Sequence, residues 1–235
     1  MGENLRPTSH SSENRCKKAT NEEERQVQVS ELQIAVDTVN KMTAFVIEHG
    51  DRVKNQSRKQ HSLYNLLKHS LAEIDVDKKS YILDGMIRVD NNTSKDIVVY
   101  VDFTLTQEAF VNILNNAIQA ILNKGNTSND TTENVLSITA ETTDDRRYAT
   151  VYFEDTGIGM SEEQKNHALR GFFDTKGHKG VGVLISRVLL TAQDGDLDYR
   201  SKEWVGTKAI VTLPLAHEGD KPKIVATFPQ SPKGE

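Results

Sequence analysis

Only one cysteine, Cys16, occurs in the 235 residues, and it lies in a polar stretch. A lone cysteine closes no internal disulfide and builds no cysteine metal cluster, so a reducing compartment is the default expectation. Long apolar runs are also missing. No stretch approaches the roughly 20 residues of a bilayer-spanning helix. The opening MGENLRPTSHSSENRCKK lacks the apolar core of a secretory leader. Gly2 is present, but its context is generic for myristoylation. Nor is there an excess of positive charge: 29 basic against 34 acidic residues give a net charge of −5. Binding a polyanion needs concentrated positive charge, so no nucleic-acid partner is expected. These absences lead us to expect a soluble, cytoplasmic protein with no membrane segment. The 36 % hydrophobic content suffices for one good core plus an accessory segment, not for three domains.

Residues 1–23 are polar, with almost no large apolar side chains, and 217–235 carry three prolines and scattered charges. Neither end buries enough surface to offset ordering entropy, and both are expected to be disordered. Between them, residues 24–59 read as a helical, dimerisation-like segment and 60–216 as the main domain. From Glu24 to about Arg58 there is no proline, and Val29, Leu32, Val36, Val39, Val46 and Val53 recur in steps of three and four, with Thr43 and Gly50 filling the gaps. That spacing puts one narrow apolar stripe along a helix. The stripe packs either on its own domain or, as its narrowness and length favour, on a second copy of the chain as a homodimer.

A second helical pattern follows at Leu63, Leu66, Leu67, Leu71 and Ile74. Strands are expected at Tyr81–Val89 and Asp96–Asp102, then an apolar helix from Thr106, as N-cap, to Leu122. The run 123–134 reads as a loop. Strands follow at Val135–Thr142, Tyr148–Glu154, Leu197–Ser201 and Lys208–Leu213, with a helix at Val181–Ala192. Helices and strands alternate without a regular βαβ rhythm. The fold class expected is therefore α+β, a two-layer sandwich of a mostly antiparallel sheet with helices on one face, preceded by a long N-terminal helix.

Three segments carry candidate chemistry. In FVNILNNAIQAI (110–121), Asn112 and Asn116 are four apart and share a helical face, with Asn115 and Gln119 close to it. Buried amides need partners for both oxygen and nitrogen, and an amide oxygen suits a hard cation such as Mg²⁺. The face is either solvated or holds a polar ligand. In EDTGIGM (154–160), an aspartate ends an apolar strand before Gly157 and Gly159. This is an ordinary tight turn, or a place where the backbone approaches a ligand and Asp155 accepts from an exocyclic amine. In GFFDTKGHKGVGVLISRVLL (171–190), Gly177, Gly180 and Gly182 bracket Lys179 and lead into an apolar helix. Free N–H groups at a helix start favour a phosphate, with Lys176 and Lys179 adding charge. The Gly-Lys-Ser/Thr ending of a Walker loop and the spacing of a dinucleotide-binding fingerprint are both absent.

In order and spacing these segments resemble the ATPase family that unites DNA gyrase, the large heat-shock chaperones, histidine kinases and the mismatch-repair ATPase. The match is nearest to the sensor histidine kinases. FVNILNNAIQA resembles their N box, EDTGIGM their first glycine box, GFFDTK their F box and KGVGVLISRVLL their second glycine box. AQDGDLDYRS followed by GTKAIVTLP resembles the end of the same domain, so the likeness spans about 60–215. It implies the Bergerat-type ATP-binding fold, with ATP and Mg²⁺ between the N-box helix and a lid. By this resemblance Asn116 would hold Mg²⁺ and Asn112 would sit beside the phosphates. Asp155 would receive the adenine amine, while Gly157 and Gly159 would let the chain pass close to the base. Lys176 would approach the phosphates from the lid, Gly180 and Gly182 would offer backbone N–H groups, and Thr207 would support the adenine end. Asn112 and Lys176 are the catalytic candidates.

Asn112 stands where water-attacking relatives place a glutamate base, and an amide takes no proton from water. That favours transfer to a histidine, already a nucleophile, positioned by another segment. Glu108, one turn earlier, is read as solvated or near the metal. The chain also departs from the pattern. His10, His49, His61 and His69 all lack the context of a phosphorylated histidine. The lid from Lys176 to Gly180 is short, Leu184 stands where a small residue is common, and Asp194 where glycine is common. The expected function is the ATP-binding catalytic module of a two-component sensor histidine kinase, a protein histidine kinase in signal transduction. Its partner would be a histidine-bearing phosphotransfer domain or a response regulator. The alternative is a regulatory docking module, impaired in nucleotide binding, that acts without phosphotransfer; a serine kinase acting on an anti-sigma-antagonist-like partner is a third reading.

Overall fold

The structure, a computed structural model, describes residues 57–125, 133–165, 180–218 and 220, together with ten scattered positions between 25 and 53. The expected disorder of 1–23 and most of that of 217–235, as well as most of the expected 123–134 loop, lie outside the described residues. All ten scattered positions are helical. Val29 and Val36 of the apolar stripe are exposed, whereas Val53 packs against the domain core.

The domain opens with β1 (Lys59–Ser62), α1 (Leu63–Ala72) and α2 (Val76–Leu83), then β2 (Arg88–Asn91), β3 (Val98–Val101) and α3 (Phe103–Gly125). It continues through β4 (Val135–Thr142), β5 (Tyr148–Asp155), α4 (Gly180–Thr191), β6 (Asp196–Lys202) and β7 (Gly206–Pro214). The main sheet runs β2-β4-β5-β7-β6, with β2 parallel to β4 and every other pair antiparallel. Strands β1 and β3 form a small antiparallel pair, tied to the chain after β7 by a bridge from Val99 to Leu215.

Alternation along the strands sets the layers. Val151, Phe153 and Asp155 on β5, Ala209 and Val211 on β7, and Leu197 and Tyr199 on β6 are all buried. Their neighbours on the other face are half-exposed or exposed, as with Glu154 paired to Lys208 at 2.8 Å. Helix α3 covers β5 and β7, α4 covers β6, and α1 packs on α3. Phe110 of α3 meets Phe153 edge-on at 5.2 Å. The α+β two-layer arrangement agrees with the sequence reading.

Three local expectations are corrected. The strand expected at Tyr81–Val89 is split: Tyr81 and Ile82 belong to α2, which ends at Leu83 and is followed by Gly85 with φ +72°, and only Arg88 onward is extended. Thr106 does not cap α3. Asp102 does, its Oδ1 accepting from Thr104 N at 3.0 Å and Leu105 N at 3.2 Å, while the Thr106 hydroxyl donates back to the Asp102 carbonyl at 2.8 Å. Helix α3 also runs on to Gly125, past the expected end at Leu122. β1 had no sequence signal of its own, being four polar residues at the seam between two helical patterns.

Candidate functional site

Asp155 ends β5 with its side chain turned into the helix-covered face, only 6 % exposed. Its Oδ1 accepts from Gly157 N at 2.9 Å and from Thr207 N at 3.3 Å. Oδ2 takes no hydrogen bond from a described residue. Burial pushes the carboxyl up to about 7; the two N–H donors and the Lys124 ammonium pull the other way and do not cancel it, while the neighbouring Glu154 adds to the rise.

The glycines around Asp155 are dictated by crowding. A Cβ on Gly157 would sit 2.5 Å from the Ala120 carbonyl carbon of α3, and Ile158 N donates to the Ala120 carbonyl at 3.0 Å. Gly159 has φ +68°, with Lys202 O 2.1 Å from where its Cβ would be. Gly206, at φ +143°, would press a Cβ 2.0 Å from the Asp155 carbonyl oxygen. The chain after Asp155 thus lies wedged between α3 and the β6–β7 hairpin.

Ala120 is one turn beyond Asn116 on α3. Asn116 is exposed and Asn112 half-buried, and neither side chain bonds to a described residue. Across from them, a Cβ on Gly182 in the first turn of α4 would lie 3.8 Å from Asn116 Nδ2. Gly180 opens the same helix. The fold therefore gathers Asp155, Gly157, Gly159 and Thr207 beside Ala120 of α3, and Asn116 with Gly182 one turn of α3 away. Lys176, Lys179 and the F-box segment lie outside the described residues.

Asn115 is not part of this face. Its amide exchanges 3.3 Å hydrogen bonds with Asp75, the backbone N and Oδ1 both taking part. Gln119 is engaged with Asn123 at 3.0 Å. His61 and His69 flank Phe103 edge-on at 5.4 and 5.5 Å.

Two supporting residues escaped the sequence reading. Lys124, 6 % exposed, donates to the Thr156 carbonyl at 3.2 Å and so ties the end of α3 to the glycine turn. The Ser201 hydroxyl contacts Met160 N at 2.8 Å, Gly206 O at 3.1 Å and Thr207 Oγ1 at 2.8 Å. The only signal for Ser201 was strand register, since it sits opposite Thr207.

The donor set fits a nucleotide with a hard cation. A buried carboxylate with one open oxygen suits an exocyclic amine. Two amides that bond to no described residue would suit a hard cation such as Mg²⁺. Among the described residues no group of three His, Cys, Asp or Glu forms a separate metal centre.

Residues 101–217 match the family described as histidine kinase-, DNA gyrase B-, and HSP90-like ATPase. Sensor protein DegM of Bacillus sp. (strain B21-2) is 25 % identical over 71 % of this chain and 42 % of its own length. The signal transduction histidine-protein kinase AtoS of Escherichia coli K12 is 25 % identical over 79 % of this chain and 28 % of its own. The chain thus spans less than half the length of these relatives. Among solved structures, the catalytic domain of histidine kinase ThkA superposes with a TM-score of 0.52 at 24 % identity, covering 67 % of this chain and 96 % of that one. A mycobacterial sensor histidine kinase, MprB, superposes at 0.53 with 17 % identity, covering 67 % and 97 %.

Proposed function

Since the chain carries, over residues 101–217, a domain of the histidine kinase-, DNA gyrase B- and HSP90-like ATPase family, we propose that it works as the ATP-binding catalytic module of a two-component sensor histidine kinase. It would pass the γ-phosphoryl group of ATP to a histidine on another segment or chain, in the cytoplasm. The observation that carries this reading is Asp155: a buried carboxyl fixed by two backbone N–H groups, with its second oxygen open, beside the helix of Asn112 and Asn116.

In this reading Asp155 accepts from the adenine amine, and Gly157 and Gly159 leave room for the base. Thr207 holds the carboxylate oriented through its backbone N–H. Asn116 would hold Mg²⁺ through its amide oxygen, and the ion would supply charge neutralisation at the phosphates. Gly180 and Gly182 offer N–H groups at the start of α4, and Lys176 would add positive charge for the phosphates. Asn112 sits at the phosphates and cannot serve as a general base, which favours transfer over hydrolysis. The helical segment 24–59 precedes the domain 60–216 and pairs two chains through the Val29–Val53 stripe, at its exposed part around Val29 and Val36, while Val53 packs on the chain's own core. The partner is a histidine-bearing phosphotransfer domain or a response regulator.

Calorimetry of the full chain with Mg-ATP tests the site. The wild type should bind, and Asn116→Ala should lose the Mg²⁺ dependence. Asp155→Asn should bind about ten- to a hundredfold more weakly, the loss of one hydrogen bond to a charged group. A wild type that ignores Mg-ATP would overturn the enzyme reading and leave a docking module.

A further inference from the structure

Tyr199 lies on β6, on the helix-covered face that also carries Asp155. It is opposite Ala209, which is in turn opposite Phe153 on β5. Two residues along, on the same face, Ser201 faces Thr207 and Thr207 faces Asp155. Tyr199 and Asp155 are therefore separated by two strand spacings, about 10 Å across the sheet, and by two residues, about 7 Å, along it. They point the same way, with α4 lying over β6.

The tyrosine ring is buried, 8 % exposed, yet its hydroxyl has no hydrogen-bond partner among the described residues. A buried hydroxyl left without a partner costs free energy that a phenylalanine in its place would not. Nothing in the packing of an apolar sheet face asks for that oxygen. Only one other buried side-chain atom among the described residues is in this position, Thr93 Oγ1, which precedes β3 and belongs to no site element. The charge at Asp155 is felt at Tyr199, raising its pKa together with burial, whose effect is larger.

We infer that Tyr199 is a specificity-determining residue of the nucleotide site, its hydroxyl donating to a ring nitrogen of the purine whose exocyclic amine is held by Asp155. This deepens the ATP reading and rests on it. The chemistry is complementary. Adenine presents an amine donor beside a ring-nitrogen acceptor on the same edge. A carboxylate reads the first and a hydroxyl donor the second. Guanine, with a carbonyl oxygen in place of the amine, turns an acceptor toward the Asp155 carboxylate and loses the pairing.

The test is calorimetry on the full chain, wild type against Tyr199→Phe, with Mg-ATP and with magnesium tripolyphosphate, alongside thermal unfolding without ligand. Tyr199→Phe should weaken ATP binding about five- to tenfold, the worth of one neutral hydrogen bond. It should leave tripolyphosphate, which has no base, unchanged, and leave the unfolding temperature unchanged or higher. ATP binding within twofold of wild type overturns the proposal and leaves the ATP reading intact. So does an equal loss for ATP and tripolyphosphate, or a lowered unfolding temperature, since either makes the tyrosine structural. No ATP binding by the wild type overturns the ATP reading and this proposal with it.

Discussion

A carboxyl pushed up to about 7 inside a folded domain links stability to pH in the direction opposite to most carboxylates. An unfolded aspartate titrates near 3.9. Between roughly pH 4 and 7 the folded state therefore holds a proton at Asp155 that the unfolded state has lost. The stabilisation is fully present below the unfolded value and is lost as pH rises through about 7, amounting to about 4 kcal/mol at the upper limit. Urea unfolding at pH 5 and pH 8 should show the wild type losing more stability across that interval than Asp155→Asn. Identical losses would mean that the carboxyl is not a buried proton holder. The ionised form is also the stronger acceptor for an amine, since it carries no O–H and its hydrogen bond is charge-assisted. Asp155 was legible in the sequence because it closes an apolar strand before two glycines. Lys124, Ser201 and Tyr199 were not, because each depends on what a neighbouring element brings beside it: a carbonyl of the glycine turn, the end of β7, the charge of Asp155 two strands away.

At the scale of elements, the site is the junction of α3 with the turn after β5, and that junction has no space to spare. Gly157→Ala would drive a methyl into the Ala120 backbone, with the Cβ 2.5 Å from its carbonyl carbon. Relief requires parting the turn from α3. We expect a loss of about 1–3 kcal/mol in denaturant unfolding, together with weakened Mg-ATP binding. Gly125→Ala is the control, since nothing lies within 4 Å of a Cβ there. If the two substitutions behave alike, the wedge at Gly157 is not what positions Asp155. The long apolar helix and four of the strands of the main sheet were readable from period and β-branching. β1 and α2 were not. β1 is made by pairing with β3, and α2 by Tyr81 and Ile82 packing on the core, and neither tertiary contact leaves a periodic trace.

At the scale of the whole molecule, the chain entering the domain is strapped to the far end of α4. Ser57 N donates to Asp102 Oδ2 at 2.7 Å. Arg58, buried, pairs with Asp194 and donates to the Ala192 carbonyl at 2.7 Å, just after α4 ends. Gln193, fully buried, accepts from Asp102 N and from the Thr106 hydroxyl. Asp194 adopts φ +62°, which accounts for the preference for glycine that the family resemblance implies there. Here an aspartate tolerates the left-handed turn and gains Arg58 as partner. A truncation that tests the helical stripe must therefore begin at Ser57, keeping the strap. Light scattering should give a dimer mass for the full chain and a monomer mass for 57–235. A dimer that survives the cut would rule the stripe out as the interface.

The sequence by itself determined the elements whose physics is local: amphipathic period, β-branched alternation, glycines before a helix. It also determined the order of motifs that marks the ATPase family. Only the tertiary structure decided how those motifs meet. Register across β5, β7 and β6 set Asp155 beside Thr207 and two strands from Tyr199. Packing of α3 beside Asp75 committed Asn115 to that residue, whereas the Asn112 and Asn116 side chains bond to no described residue. The division has a physical reason. Period and propensity act over a turn of helix or a strand, whereas a binding site is made of side chains that strand pairing and helix packing draw together from distant parts of the chain.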